Sequence, residues 1–211
     1  DLKKPVITKS HFRNNLKRML KRASKNSMFV EQTSDQKLIK NWYKIHTKRH
    51  LGLKLEPIPQ QIILGAIKYL MPKNKARFFV VMKNDKIEAG CLICYHKNIV
   101  DTYIYSGSPD SYKNGAMYLL IDHIVTWTKR ESFSILNWQS SKPKGGGPYN
   151  FKMQWGSRES PYFFFTKKYG SIDKLLKLGL DGIKESYRWH FVLPFSEFQQ
   201  QTNHVSKDQK V

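Results

Sequence analysis

Between residues 76 and 106 three apolar runs follow one another with only brief polar breaks, and this spacing leaves the chain little choice of architecture. Ala76 to Met82, with Phe-Phe-Val-Val at its centre, Ile87 to His96 and Ile99 to Ser106 are each of strand length. Asn84-Asp85-Lys86 and Asn98 separate them, and Asn and Asp are residues that tolerate tight turns. Strands joined by turns this short pair antiparallel, so the segment reads as a meander. A helix-spaced run follows from Asp110 or Ser111 through Met117, Leu120, Ile121, Ile124 and Trp127 to about Lys129.

The flanks complete a mixed α/β order. Ser10 to Lys25 reads as a basic amphipathic helix capped by Ser10, with Phe12, Leu16, Met19, Leu20 and Ala23 on one face. Met28 to Thr33 is a short strand. Ser34 or Asp35 then caps a helix to about Arg49, with Leu38, Trp42, Tyr43 and Ile45 apolar. Leu53 to Pro59 is a loop and Gln60 to Leu70 a helix closed by Pro72. Ser134 to Trp138 and Pro161 to Thr166 are the remaining strands, and one or two helices fall between Ile172 and Trp189. The expectation is one mixed sheet of about six or seven strands flanked by helices. Residues 1–9 read as an extension, 10–198 as one domain, and 199–211, polar and Gln-rich, as a disordered tail.

Of the 211 residues 40% are hydrophobic, enough for a core, yet no apolar run reaches the roughly 18 residues of a membrane span. Neither a signal peptide nor an initiator Met opens the chain, which suggests processing, editing or a fragment. The net charge is +21, from 37 Lys plus Arg against 16 Asp plus Glu. Such a field favours a polyanion: RNA, DNA, a nucleotide or an anionic membrane surface. A Lys-, Asn-, Ile- and Tyr-rich composition accounts for part of it. Cys91 and Cys94 have CxxC spacing but no second pair, so core thiols of a reducing cytoplasm are expected and no metal. Helix-turn-helix, zinc-finger and RRM signatures are missing.

Three segments resemble the second lobe of Fem-type (FemABX-like) aminoacyltransferases, within the GNAT superfamily. The first is the basic helix Arg13-Asn14-Asn15-Leu16-Lys17-Arg18-Met19-Leu20-Lys21-Arg22-Ala23. The second comprises Ile87-Glu88-Ala89-Gly90, Tyr103-Ile104-Tyr105-Ser106-Gly107-Ser108 and Asn114-Gly115-Ala116-Met117-Tyr118-Leu119-Leu120. The third is Tyr149-Asn150-Phe151-Lys152-Met153-Gln154-Trp155-Gly156, similar to the family's Phe-Lys-x-x-aromatic-Gly signature. The resemblance covers roughly residues 10–170. It implies a GNAT-like fold and a transferase that moves an aminoacyl group from aminoacyl-tRNA to an amine, usually on a peptidoglycan precursor. The family's first lobe has no counterpart here, so a partner lobe or a homo-oligomer stays open. It implies no tightly bound cofactor and a cytoplasmic place, peripheral to the membrane if the acceptor is there.

Both aminoacyl-tRNA and acyl-CoA are activated donors, so the protein needs to align donor and amine, accept a proton and stabilise the oxyanion rather than supply a nucleophile. By the resemblance, Phe151 and Lys152 lie at the donor end of the site, with Lys152 on an exposed loop against a tRNA phosphate. Phe151 and Trp155 as plain core residues is the other reading. Asp101, Tyr103 and Tyr105 alternate on one strand and are expected on one face, available to relay a proton. In GNAT proteins the start of the central helix cradles the coenzyme A pyrophosphate with Arg/Gln-x-x-Gly-x-Gly/Ala. Ser111-Tyr112-Lys113-Asn114-Gly115-Ala116 keeps that pattern in degenerate form, leaving Lys113, Asn114 and Gly115 as a weaker anion site. Lys142 and Lys144 flank Gly145-Gly146-Gly147, a flexible loop beside the donor without a Walker ending. Arg13, Lys17, Arg18, Lys21 and Arg22 are the expected nucleic-acid contacts. His123 has no visible partner and reads as structural. The competing readings are an acyl-CoA N-acyltransferase, a nucleic-acid-binding module and an inactive lobe of a larger assembly.

Overall fold

The computed structural model describes residues 14–141, 146–161, 165, 167 and 169–186. The extension 1–9, the Ser10 cap and Phe12, most of the strand expected at 161–166, and the tail from Gln199 lie outside them. The chain divides into two compact units, Asp1–Arg158 and Glu159–Val211.

The first unit holds α1 (Asn14–Lys25), β1 (Phe29–Gln32), α2 (Gln36–Gly52), and α3 (Gln60–Gly65), which runs on as a π-helical turn through Leu70. Then come β2 (Ala76–Lys83), β3 (Lys86–His96), β4 (Ile99–Gly107), α4 (Ser111–Asn114), α5 (Ala116–Arg130), β5 (Ile135–Asn137) and α6 (Gly147–Gln154). The second unit contains α7 (Asp173–Ser186), interrupted at Gly179 with φ +65°. Among the described residues no helix is long and apolar enough to cross a membrane.

One mixed sheet has the order β1-β2-β3-β4-β5. The first four strands are antiparallel and β5 joins β4 in parallel. The mixed α/β class with helices around one sheet is the expected one, with five strands among the described residues instead of six or seven. Both faces of the sheet are covered, which explains why residues 78–82 of β2 form an unbroken apolar run. Phe79 and Val81 join Cys91, Ile93 and the inner faces of α1 and α5 in one core. Phe78 and Val80 join Leu92, Ile104 and residues of α2 and α3 in the other.

Local chemistry sets the joints. Asp35, as expected, caps α2 by accepting from the Lys37 N–H at 2.7 Å. Asn84 and Asp85 both take positive φ, +46° and +58°, in the two-residue β2–β3 turn. Gly90 of β3 is needed because a Cβ there would stand 2.6 Å from the Trp42 ring of α2. Cys91 and Cys94 are three apart on β3, so they enter opposite cores and form no pair. Burial pushes the Cys94 thiol up to about 11, with nearby Asp101 adding to it.

Candidate active site

Pairing of β4 with β5 lasts three residues, Ile99↔Ile135, Val100↔Leu136 and Asp101↔Asn137. Beyond Asn137 the chain turns away at Gln139, which has φ +61°, while β4 continues to Gly107. A cleft of about 440 Å³ opens where the two diverge. Its walls include Tyr103 and Tyr105 of β4, Gln139 and Ser140 beyond β5, Lys152 of α6, and His50 of α2. Among the described residues no strand lies on the cleft side of the stretch of β4 that faces it.

A bulge shapes this wall. Leu92 pairs with Ile104 and Cys94 with Asp101, so Thr102 and Tyr103 together oppose the single residue Ile93. The inserted residue resets the side-chain alternation. Asp101 therefore shares the face of Cys94, whereas Tyr105 shares that of Cys91. This corrects the expectation that Asp101, Tyr103 and Tyr105 lie on one face. Tyr105 lines the cleft, and burial, with Tyr112 and Cys91 adding, pushes its phenol well above the usual range. Asp101 accepts from Asn137 Nδ2 at 2.5 Å and Gln139 Nε2 at 3.1 Å, holding the root of the divergence.

Lys152 is buried on α6, not exposed on a loop as expected. Its Nζ donates to Gln139 O at 3.0 Å and Ser140 O at 3.1 Å, tying the diverging segment to α6. Burial lowers its pKa. Phe151 is buried among the rings of Tyr112, Tyr118, Trp138 and Trp155, away from the cleft wall. The Phe-Lys-x-x-aromatic-Gly segment thus builds the support of the cleft, and Gly156 ends it at φ +72°.

At the start of the central helix the loop uses its own amides. The N–H of Ser111 goes to Ser108 O, those of Lys113 and Asn114 to Asp110 O, and that of Ala116 to Asn114 Oδ1. Glu88 brings a carboxylate to the same place, accepting from Ser108 Oγ at 2.9 Å and Asn114 Nδ2 at 3.0 Å. Gly115, at φ +96°, admits α1: a Cβ there would lie 2.4 Å from Met19 O. Lys113 is exposed, and its carbonyl accepts from Arg22 at 2.8 Å. Lys17, Arg18, Lys21 and Arg22 are exposed on α1, while Arg13, Lys142 and Lys144 lie outside the described residues. Asn15 at the start of α1 donates to Gln154 Oε1 of α6 at 2.9 Å.

Two histidines missed in the sequence complete the site. His46 is buried in α2; its Nε2 accepts the Ile58 N–H at 3.3 Å, so Nδ1 carries the proton and donates to Ser106 Oγ of β4 at 2.9 Å. Burial, then the neighbouring His50, push its pKa down to about 4. His50, one turn on, lines the cleft, with ring centroids 4.0 Å apart. Their i, i+4 spacing on one helix was the available signal, but Ser106 lies 60 residues away. His123, by contrast, packs edge-on against Phe79, 5.0 Å between centroids. No group of three or more metal-ligating side chains occurs among the described residues.

Residues 10–153 match the family model described as the acetyltransferase (GNAT) domain. A search of curated proteins returns no match. Among solved structures the chain is similar to AAC(6')-Iy in complex with a CoA bisubstrate analog, at 14% identity over 68% of this chain and 99% of that one, TM-score 0.53. It is similar to the aminoglycoside 6'-N-acetyltransferase AAC(6')-IG of Acinetobacter haemolyticus, at 14% identity over 67% and 99%, TM-score 0.53. It is also similar to FemX, at 10% identity over 70% of this chain and 54% of that one, TM-score 0.59.

Proposed function

Since the chain belongs to the GNAT acetyltransferase family and is an acyltransferase, we infer that it moves an aminoacyl group from aminoacyl-tRNA to an amine in the β4–β5 cleft. The observation that carries the donor assignment is the occupied loop at residues 108–116. A pyrophosphate there would compete with Asn114 Oδ1 for a helix N–H and would meet the Glu88 carboxylate. The exposed cations of α1, a helix without an acidic residue, instead offer a surface for a longer polyanion. By the Fem-type resemblance of residues 149–156, the acceptor amine belongs to a peptidoglycan precursor and the work is done in the cytoplasm.

The cleft supplies the parts of aminolysis. The amine attacks the acyl carbon, and a tetrahedral oxyanion forms. The bulge at Thr102–Tyr103 releases backbone from the ladder beside the cleft, which suits a backbone N–H for that oxyanion. Tyr105, held protonated by burial, gives its proton to the departing oxygen. Asp101 and Lys152 are positioning residues that fix the divergence of the two cleft walls.

Acyl-CoA is the second reading, favoured by the AAC(6')-Iy fold neighbour, which is solved with a CoA bisubstrate analog. The edge of β4 that no described strand covers also suits the two amides of a pantetheine arm, which would add to it as an extended strand does. Side-by-side incubation with labelled aminoacyl-tRNA and labelled acetyl-CoA, each with a lysine-bearing peptide and an aminoglycoside as amines, separates the two. Label on the amine from tRNA is expected. Saturable CoA binding with acetyl transfer, and no tRNA binding, would reverse the order.

A further inference from the structure

The rings of His46 and His50 lie tilted against each other, and their hydrogen bonds fix both tautomers. A backbone carbonyl only accepts, so the 3.0 Å contact from His50 Nδ1 to His46 O places the proton on Nδ1. Neutral His50 therefore carries its lone pair on Nε2, and its ring is part of the cleft wall. His46 is committed on both nitrogens, to the Ile58 N–H and to Ser106 Oγ, and has no lone pair to offer. Of the pair, only His50 is free to take a proton.

We propose that His50 Nε2 is the general base that removes the proton from the attacking amine. The proposal rests on the acyl-transfer reading above. The N–C bond forms as the amine lone pair attacks the acyl carbon; the N–H proton passes to His50 Nε2. The acyl C–O bond, or C–S bond for a thioester, then breaks, and the departing atom takes the Tyr105 phenol proton. Imidazolium and phenolate return to their resting forms through solvent, so no proton is gained or lost by the protein.

The surroundings suit a neutral base that charges during turnover. On its own helix His50 faces neutral His46, which burial keeps unprotonated down to about pH 4. From β4 it shares the cleft with the phenols of Tyr103 and Tyr105, and from α6 with Lys152, whose charge is taken up by two carbonyls. Arg49 is drawn aside over the Tyr112 ring of α4, 5.8 Å from its centroid. On the loop before α3, Lys54 and Glu56 are exposed.

The test compares wild type with His50→Gln and His50→Ala, using acetyl-CoA and aminoacyl-tRNA as donors and a lysine-bearing peptide and an aminoglycoside as amines. Wild-type kcat/KM is expected to fall on the acid side as the base becomes protonated. Both variants are expected to lose roughly 100-fold or more in kcat with little change in donor KM, and to lose that acid limb. A long-range ¹H–¹⁵N spectrum of wild type at neutral pH should show His50 with Nδ1 protonated and Nε2 bare. The spectrum decides the tautomer even where a variant fails to fold. A variant that keeps the wild-type rate and acid limb overturns the assignment alone, as does a protonated Nε2. Wild type inactive with both donors overturns the acyl-transfer reading, and this assignment with it.

Discussion

Lys152 ends on two backbone carbonyls, those of Gln139 and Ser140, inside a wall of the cleft. A lysine in this setting fixes a segment more than it meets a ligand, because its donors are already turned toward carbonyls of the chain. Removing the ammonium takes away the charged donor that both oxygens share. Lys152→Met keeps the aliphatic stem and removes only the bonds. We expect it to lower stability by roughly 1 to 3 kcal/mol, the net of charge-assisted hydrogen bonds against the desolvation they offset. Thermal unfolding measures this, and an unchanged Tm would mean that the two bonds contribute nothing net. Lys152→Arg should recover part of the loss, since the guanidinium fork reaches carbonyls at a different depth.

Gly115 acts between elements: it ends α4, starts α5, and lets the backbone of α1 approach. Gly115→Ala carries a positive-φ penalty of roughly 1 to 3 kcal/mol before any clash with Met19 O is added. Gly52→Ala, with nothing within 4 Å of its added Cβ, is the control and should be neutral or slightly stabilising. Equal unfolding midpoints for the two variants would refute the account of α1 docking. The sequence shows the strands and helices of this region because each carries its own period: β2 is apolar at every position from 78 to 82, and α5 repeats every three or four residues. It hides α6, Gly-Pro-Tyr-Asn-Phe-Lys-Met-Gln, whose opening residues are poor helix formers and whose burial of Phe151 and Lys152 is tertiary. The bulge at Thr102–Tyr103 leaves no mark in a hydrophobic pattern, so the faces of Asp101 and Tyr105 were misassigned. His46 reads as one more polar residue of a basic helix until Ser106 and Ile58 arrive beside it.

Across the whole molecule the charge of +21 is the property through which the proposed tRNA donor is tested. Part of it lies in an ordered array: Lys17, Lys21 and Lys25 recur every fourth residue along α1, all exposed, on a helix with no acidic side chain. The same helix is joined through Asn15 to α6, which carries Lys152 of the cleft. Each phosphate neutralised releases counterions and contributes about −0.7 to −0.9 to the slope of log affinity against log salt, so three lysines give about −2 to −3. We expect tRNA affinity to follow that slope between low and physiological salt. Lys17→Glu combined with Lys21→Glu should flatten it by about 1.5 or more, with the fold intact because both side chains are exposed. A molecule whose charge is only solvated surface would behave otherwise: its tRNA binding would be weak, and these two substitutions would change it no more than the same pair made at Lys37 and Lys40 on α2, which covers the other face of the sheet. Filter binding over a salt series, with circular dichroism as the folding control, separates an ordered tRNA surface on α1 from a diffuse excess of lysine.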